Sequence, residues 1–417
     1  MTAKGNNLLK ENKGKTYDVK LMKGCTVKYQ IIGKKGEPVE IWLYVRYKGA
    51  KDAKPGTYEH ARHWFYHKVL KEKPPVPGEG DQKCIPAILV ERKKHTPKND
   101  SEELSKEWDG RDGSKCDCNR ILLAGEYELV LRVYDASDKK KSREDIKHFT
   151  IAQPHAFSYG AYEELRRDKE WCIKRAKKVK ESLKKLGFQA RIMPADETTA
   201  EAAYKGLTDM AAAYWSYQHG SDFKTLVFKR YDVKEGKILS SFMRTEKFTK
   251  QPWVEKADVE LPKKGRVFDD MLFVFPWACI TDWPNDNTTI MARFRALGAD
   301  ITIAFTKLWV RSRNGKGEPA FVSSLVQFAR TWNKADNVYP STAACVKQAI
   351  KAAKEAAKMV TPPYEEPVPD EKFNDSLDSI RVVYNKQLFH GAAGKEPEPP
   401  HTALYPARYG CWWGRKK

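Results

Sequence analysis

No stretch of this 417-residue chain strings together the roughly 18 apolar residues that a membrane-spanning helix needs, so no membrane role is expected. Cysteine is scarce, eight residues in all, and no C-x-x-C pair occurs. That argues against a disulfide framework and makes reduced thiols the expectation. Cys84, Cys116 and Cys118, with His60, His63 and His67, fit no strong zinc template, so no metal is expected. Acidic residues are the minority charge, 55 against 76 Lys and Arg, which leaves a formal net charge of +21. Such an excess favours an anionic contact. The lysines are scattered, however, with short clusters only at 139–141, 263–264 and 415–417, and no nucleic-acid motif accompanies them. Any anionic partner is therefore expected to bind through non-specific charge. Residues 1–15 are polar and lysine-rich with no apolar run behind them, which predicts a cytoplasmic protein as written and leaves secretion from a longer precursor open. No internal repeat is evident.

What the chain does have is enough apolar material, 41% hydrophobic and 12% aromatic, for more than one core, and a length that suits two domains. The first half alternates with period two. Val27, Tyr29 and Ile31 share one face, Val39, Ile41, Leu43 and Val45 another, and 146–151 reads as a closing strand. The clearest strand is G-E-Y-E-L-V-L-R-V-Y-D at 125–135, with Tyr127, Leu129, Leu131 and Val133 on one side. Its Gly-x-Tyr entry resembles the penultimate strand of immunoglobulin-like sandwiches. Residues near 50–83 and 93–119 read as long loops. At Pro154 the pattern switches to helices alternating with short apolar strands, the mark of a domain boundary and a mostly parallel sheet. The predicted organisation is a flexible tail at 1–19, an immunoglobulin-like β-sandwich at 20–153, an α/β domain at 154–395 and a tail at 396–417.

In the second half, Cys172, Ala176, Val179, Leu183 and Leu186 recur at helical steps and Gly187 stops them. A strand at 188–193 follows, then Thr198 and Glu201 as a capping box before a helix carrying Ala203, Leu207 and Met210. The aromatic strand A-Y-W-S-Y-Q-H-G ends in His219 and Gly220, and the buried strand M-L-F-V-F-P-W-A-C ends at Cys279. Ile290, Phe294 and Leu297 line a helix stopped by Gly298, and A-D-I-T-I-A-F-T is the next strand. Helices are predicted near 320–334 and, capped by Ser341, at 341–359; beyond Thr361 only 380–384 reads as regular structure.

In a parallel sheet, reactive groups collect where strands end and loops leave. His219 and Cys279 stand at two such ends, 60 residues apart. A nucleophilic cysteine needs a base close in space but not in sequence. The order L-K-K-L-G-F-Q-A-R, Y-Q-H-G at 217–220, W-A-C at 277–279 and A-L-G-A-D-I-T-I-A-F-T at 296–306 resembles the caspase-like cysteine peptidases, a group that includes caspases, gingipains and CHAT proteins, over about half the chain. The resemblance implies that His219 is the general acid/base, Cys279 the nucleophile, and the backbone N–H groups of Gly220 and Cys279 the oxyanion hole. Trp277 before the cysteine, and Ile280, Thr281 and Asp282 after it, depart from the family's usual residues and imply a remodelled substrate loop, while Pro276 removes a ladder donor and predicts that the strand ends or bulges there. The segment L-F-H-G-A-A-G at 388–394 is a loose counterpart of the family's final turn.

The expected protein is thus a caspase-like cysteine endopeptidase (a hydrolase) acting on a protein or peptide substrate with no cofactor. The alternatives are an inactive caspase-like domain serving as a binding or assembly module, and a basic structural component of a larger particle.

Overall fold

The structure, a computed structural model, describes residues 2–7, 16–17, 25–47, 53–55, 57, 59–61, 87–108, 125–138, 141–151, 155–160, 169–193, 197–210, 213–217, 219–232, 237–246, 259–265, 267–268, 271–310, 312, 315–336, 339–358 and 370–385. These divide into two compact units, one ending at Ile151 and one starting at His155.

The first unit holds strands β1 (Thr2–Asn7), β2 (Thr16–Tyr17), β3 (Cys25–Ile32), β4 (Val39–Tyr47), β5 (Ala87–His95), β6 (Ser101–Trp108), β7 (Gly125–Asp135) and β8 (Ser142–Ile151). They form a three-stranded sheet in the order β1-β3-β6 and a five-stranded one in the order β2-β8-β7-β4-β5. All pairs are antiparallel except β2 with β8. Period-two patterning puts Val27, Tyr29 and Ile31 of one sheet, and Leu43, Leu129 and Leu131 of the other, in a buried apolar layer. Val27, Tyr29, Leu43, Leu129 and Leu131 line one small gap, so the two sheets share that layer. The second face of the larger sheet is buried too, through Trp42, Tyr44, Val130 and Tyr134.

The region near 93–119 is not simply a loop, because β5 continues to His95 and β6 occupies 101–108. Strand β6, S-E-E-L-S-K-E-W, has only Trp108 fully buried, so it carries almost no hydrophobic alternation to read. What holds it is its ladder with β3, from Cys25 opposite Trp108 to Ile32 opposite Ser101. Most of 50–83 lies outside the described residues.

The second unit adds β9 (His155–Gly160), β10 (Gln189–Met193), β11 (Ala213–Tyr217), β12 (His219–Asp222), β13 (Thr225–Asp232), β14 (Lys237–Arg244), β15 (Val259–Glu260), β16 (Phe273–Trp277), β17 (Ile301–Phe305) and β18 (Ile380–Tyr384). Its helices are α1 (Lys169–Lys185), α2 (Ala200–Met210), α3 (Ile290–Ala296), α4 (Gly317–Ala329), α5 (Thr342–Ala357) and α6 (Glu371–Asp378). A six-stranded sheet runs β10-β9-β11-β16-β17-β18, parallel except for β18. Renumbered from β9, this is the 2-1-3-4-5 order of doubly wound folds with an antiparallel strand at one edge. The central strands β16 and β17 are buried along their whole length, as a sheet covered on both faces requires.

Glycine ends two of the helices in the same way. At Gly187 (φ 91°) the N–H of Phe188 reaches the Leu183 carbonyl and that of Gly187 reaches Lys184; at Gly298 (φ 114°) the pairs are Ala299 with Phe294 and Gly298 with Arg295. Both are Schellman caps. Three expectations need correcting. Thr199, not Thr198, caps α2 through its Oγ1, which accepts from Ala202 N at 3.1 Å. The helix predicted near 320–334 occupies 317–329. The stretch beyond Thr361 contains α6 as well as β18; its N-cap Asp370 accepts from Phe373 N, a signal hidden among prolines and acids. The sheet β12-β13-β14-β15, antiparallel except for β14 with β15, occupies a region where the sequence pattern showed no strand after Gly220.

Residues 1–153 should fold alone. A purified fragment of that length is expected to show a β-type circular dichroism spectrum and cooperative unfolding; a disordered or helical fragment contradicts the division.

Candidate active site

Strands β11 and β16 are parallel neighbours whose last paired residues are Tyr217 and Trp277. His219 and Cys279 each stand two residues beyond that pair, so the register carries both to the same end of the sheet on strands about 4.8 Å apart. From there His219 enters β12, opposite Val227, with Gly220 opposite Leu226. The His219 side chain lies outside the described residues. The backbone beside it is tightly located. A Cβ placed on Gly220 would sit 2.0 Å from the Cys279 carbonyl oxygen and 3.6 Å from its nitrogen. Only glycine permits that approach. The two backbones named for an oxyanion hole are therefore direct neighbours.

Cys279 is a half-buried cysteine outside any disulfide. The N–H of Trp309 donates to its Sγ at 3.3 Å, and the thiol lies 3.8 Å from the Trp309 carbonyl. Pro276 lacks a ladder donor, and the described pairing of β16 with β17 covers only Phe273 and Val274. The chain then makes a tight turn, Ala278 N to Pro276 O at 2.9 Å, and Ile280 follows with φ 46°. A β-branched residue in the left-handed region is strained, at a cost of about 1–3 kcal/mol. It is held there by Ile280 N to Lys307 O (3.2 Å) and Thr281 N to Phe305 O (2.9 Å).

Two buried carboxylates anchor the loops on either side. Asp282 accepts from Thr289 Oγ1 at 2.9 Å and faces Arg295 at 3.7 Å and Arg381 at 3.6 Å, which ties the loop after Cys279 to α3 and β18. Burial pushes the Arg295 guanidinium below the ordinary arginine range, with Asp282 opposing that shift. Glu318 accepts from Ser312 N and Ser312 Oγ, both at 3.0 Å, and lies 3.5 Å from Arg175, which closes the segment that carries Trp309. Beneath the site, Trp277 packs edge-on to Trp309 and Phe321 and beside Phe275 and Phe305. The other described cysteine with an observed thiol, Cys345, is fully buried on α5, and burial pushes its thiol far up.

Sequence reading missed Trp309, whose role is played by a backbone amide and leaves no signature. It treated Asp282 only as a departure from a pattern, although an acid three residues past a candidate nucleophile is a usable signal. Among the described residues no His, Cys, Asp and Glu group could hold a metal; Cys84, Cys116, Cys118, His63 and His67, like the 388–394 segment, lie outside them. Nor is any described helix long and apolar enough to cross a membrane.

No protein-family model matches the chain, and no curated protein matches it. Among solved structures it is similar to the Arg-specific cysteine proteinase gingipain R, with 12% identity and a TM-score of 0.35 over 56% of this chain and 46% of that one. It thus spans about half the length of gingipain R. It is also similar to β-glucosidase 3B from Thermotoga neapolitana (18% identity, TM-score 0.17, 36% of this chain and 17% of that one). A third similarity is to the sporulation control protein Spo0M from Bacillus subtilis (11% identity, TM-score 0.19, 59% and 69%). Likenesses at these levels carry no argument about the chemistry.

Gly220→Ala is expected to destabilise the second unit by about 1–3 kcal/mol, since the new methyl meets backbone and not a side chain that could swing away. Thermal unfolding measures this; a variant as stable as the parent contradicts the close approach.

Proposed function

We propose that the second unit is a caspase-like cysteine peptidase domain with Cys279 as nucleophile and His219 as general acid/base, joined to an immunoglobulin-like sandwich. The observation that supports this reading best is the common register of β11 and β16 combined with the Gly220 approach to Cys279. The Cys279 thiolate attacks the scissile carbonyl of a protein or peptide, and the N–H groups of Gly220 and Cys279 receive the oxyanion. The leaving amine takes its proton from His219, leaving a thioester on Cys279. Water, deprotonated by His219, then releases the carboxylate product. An amide N–H aimed at sulfur, as from Trp309, favours the anion over the neutral thiol. Strain beside the nucleophile at Ile280 suits a site in which the rest of the fold holds one geometry.

A second reading has one observation in its favour. The Trp309 backbone engages Cys279 through both its N–H and its carbonyl, which also suits a thiol retained for structure in an inert binding module.

Labelling separates the two. Cys279 is expected to be alkylated by iodoacetamide well below the pH of about 8.5 at which free cysteine titrates. Cys345, buried with its thiol pushed up, should stay unlabelled in the folded protein. His219→Ala should return Cys279 to ordinary thiol behaviour. Mass spectrometry of the labelled sites across pH reads the result; a Cys279 indifferent to His219 leaves the binding module as the function.

A further inference from the structure

The peptidase reading leaves the substrate unnamed, and the surface around Cys279 speaks to it. Among the described residues the exposed large hydrophobics are Leu89, Trp283 (49% exposed) and Leu308 (63%). The last two stand on the segments that carry Cys279 and Trp309. Trp283 lies four residues after Cys279, and Leu308 adjoins Trp309, whose amide donates to the Cys279 sulfur. The Trp283 ring packs at 5.1 Å against Phe223, which lies four residues after His219. The turn between β12 and β13 and the loop that leaves β16 thus join through an aromatic pair. The Phe223 carbonyl accepts from Ile290 N at 2.6 Å, which fixes the turn that carries it.

The nearby acids are committed elsewhere. Asp222 accepts from Lys224 N at 2.8 Å, Asp286 accepts from both Thr288 N and Thr288 Oγ1 at 2.7 Å, and Glu246 pairs with Lys224 Nζ at 2.8 Å. Solvent-facing apolar surface is costly to keep and marks contact sites when it clusters. Here exposed Trp283 pairs with half-buried Phe223 on the segments that follow the two candidate catalytic residues, where a substrate chain must pass.

We infer that Trp283 and Phe223 form a specificity subsite for a bulky apolar side chain, aromatic or branched aliphatic, next to the scissile bond of a peptide substrate. This rests on the peptidase reading for the words "scissile bond". The subsite itself is tested by binding, without cleavage.

Labelled octapeptides randomised at each position are selected on the full-length Cys279→Ala protein. Phe, Tyr, Trp, Leu or Met should be enriched at one position. Replacing that residue by Ala in a selected peptide should weaken binding about tenfold. Trp283→Ala, made in the same background and checked by circular dichroism, should erase the enrichment, and Leu308→Ala, outside the aromatic pair, should leave it in place. Enrichment of Arg, Lys, Asp or Asn instead, failure to select any peptide, or an apolar preference untouched by Trp283→Ala overturns the subsite. Failure of the peptidase reading is seen separately, as Cys279 labelling in the parent protein that ignores His219.

Discussion

The site depends on a contact between two backbones. At the end of β11 the chain passes so close to Cys279 that the cysteine carbonyl occupies the space where a side chain at position 220 would begin. A contact of that kind cannot be relieved by rotating a side chain, so it couples two segments 60 residues apart in sequence. The parallel register of β11 and β16 brings them to the same height. Gly220 then lets β12 continue into the second sheet without displacing Cys279.

The strain at Ile280 follows from the same geometry. Pro276 cannot extend the ladder toward β17, so the chain turns within two residues and re-enters hydrogen bonding with the 305–307 segment through Ile280 and Thr281. One residue must take the left-handed conformation, and glycine is absent from this stretch. Asp282 and Glu318, each buried and hydrogen-bonded to a hydroxyl, offset that cost by fixing the loop on one side and the Trp309 segment on the other. Removing either carboxylate would leave arginine without its buried partner, which is why such anchors are strongly felt once in place.

Much of this was legible in the sequence, for identifiable reasons. Strands with clean alternation, such as 125–135, and helices with a glycine stop, such as those before Gly187 and Gly298, announce themselves through side-chain pattern and turn chemistry. The strand ends ahead of His219 and Cys279 do so too, because the apolar pattern stops there. Strand β6 was not legible: one sheet partner and a polar face give it no hydrophobic signal. The shift from Thr198 to Thr199 reflects two adjacent residues of equal capping ability, between which only the backbone path chooses. Trp309 contributes an amide, and Gly220 an absence. Neither leaves a trace in residue type until the distances are known.

Cys279 and Cys345 show why residue type alone says so little about chemistry. Both are thiols outside any disulfide in the same unit. Cys345 sits in the first turn of α5 with no exposed surface, its thiol 4.0 Å from the Pro340 carbonyl; burial penalises its thiolate, and it behaves as a small apolar side chain. Cys279 stands where a strand has just ended, half-exposed, with an amide N–H on its sulfur and the backbone that follows a histidine against its own. The Cys345 amide donates to the Ser341 carbonyl at 3.0 Å, and burial outweighs the backbone donor that its thiol has. A strand end leaves amides over, and neighbouring strands deliver them to one place. The chemistry open to a cysteine is set by that supply of donors and of water, which explains why the thiol at the edge of this sheet, and not the one in its flanking helix, is the candidate nucleophile.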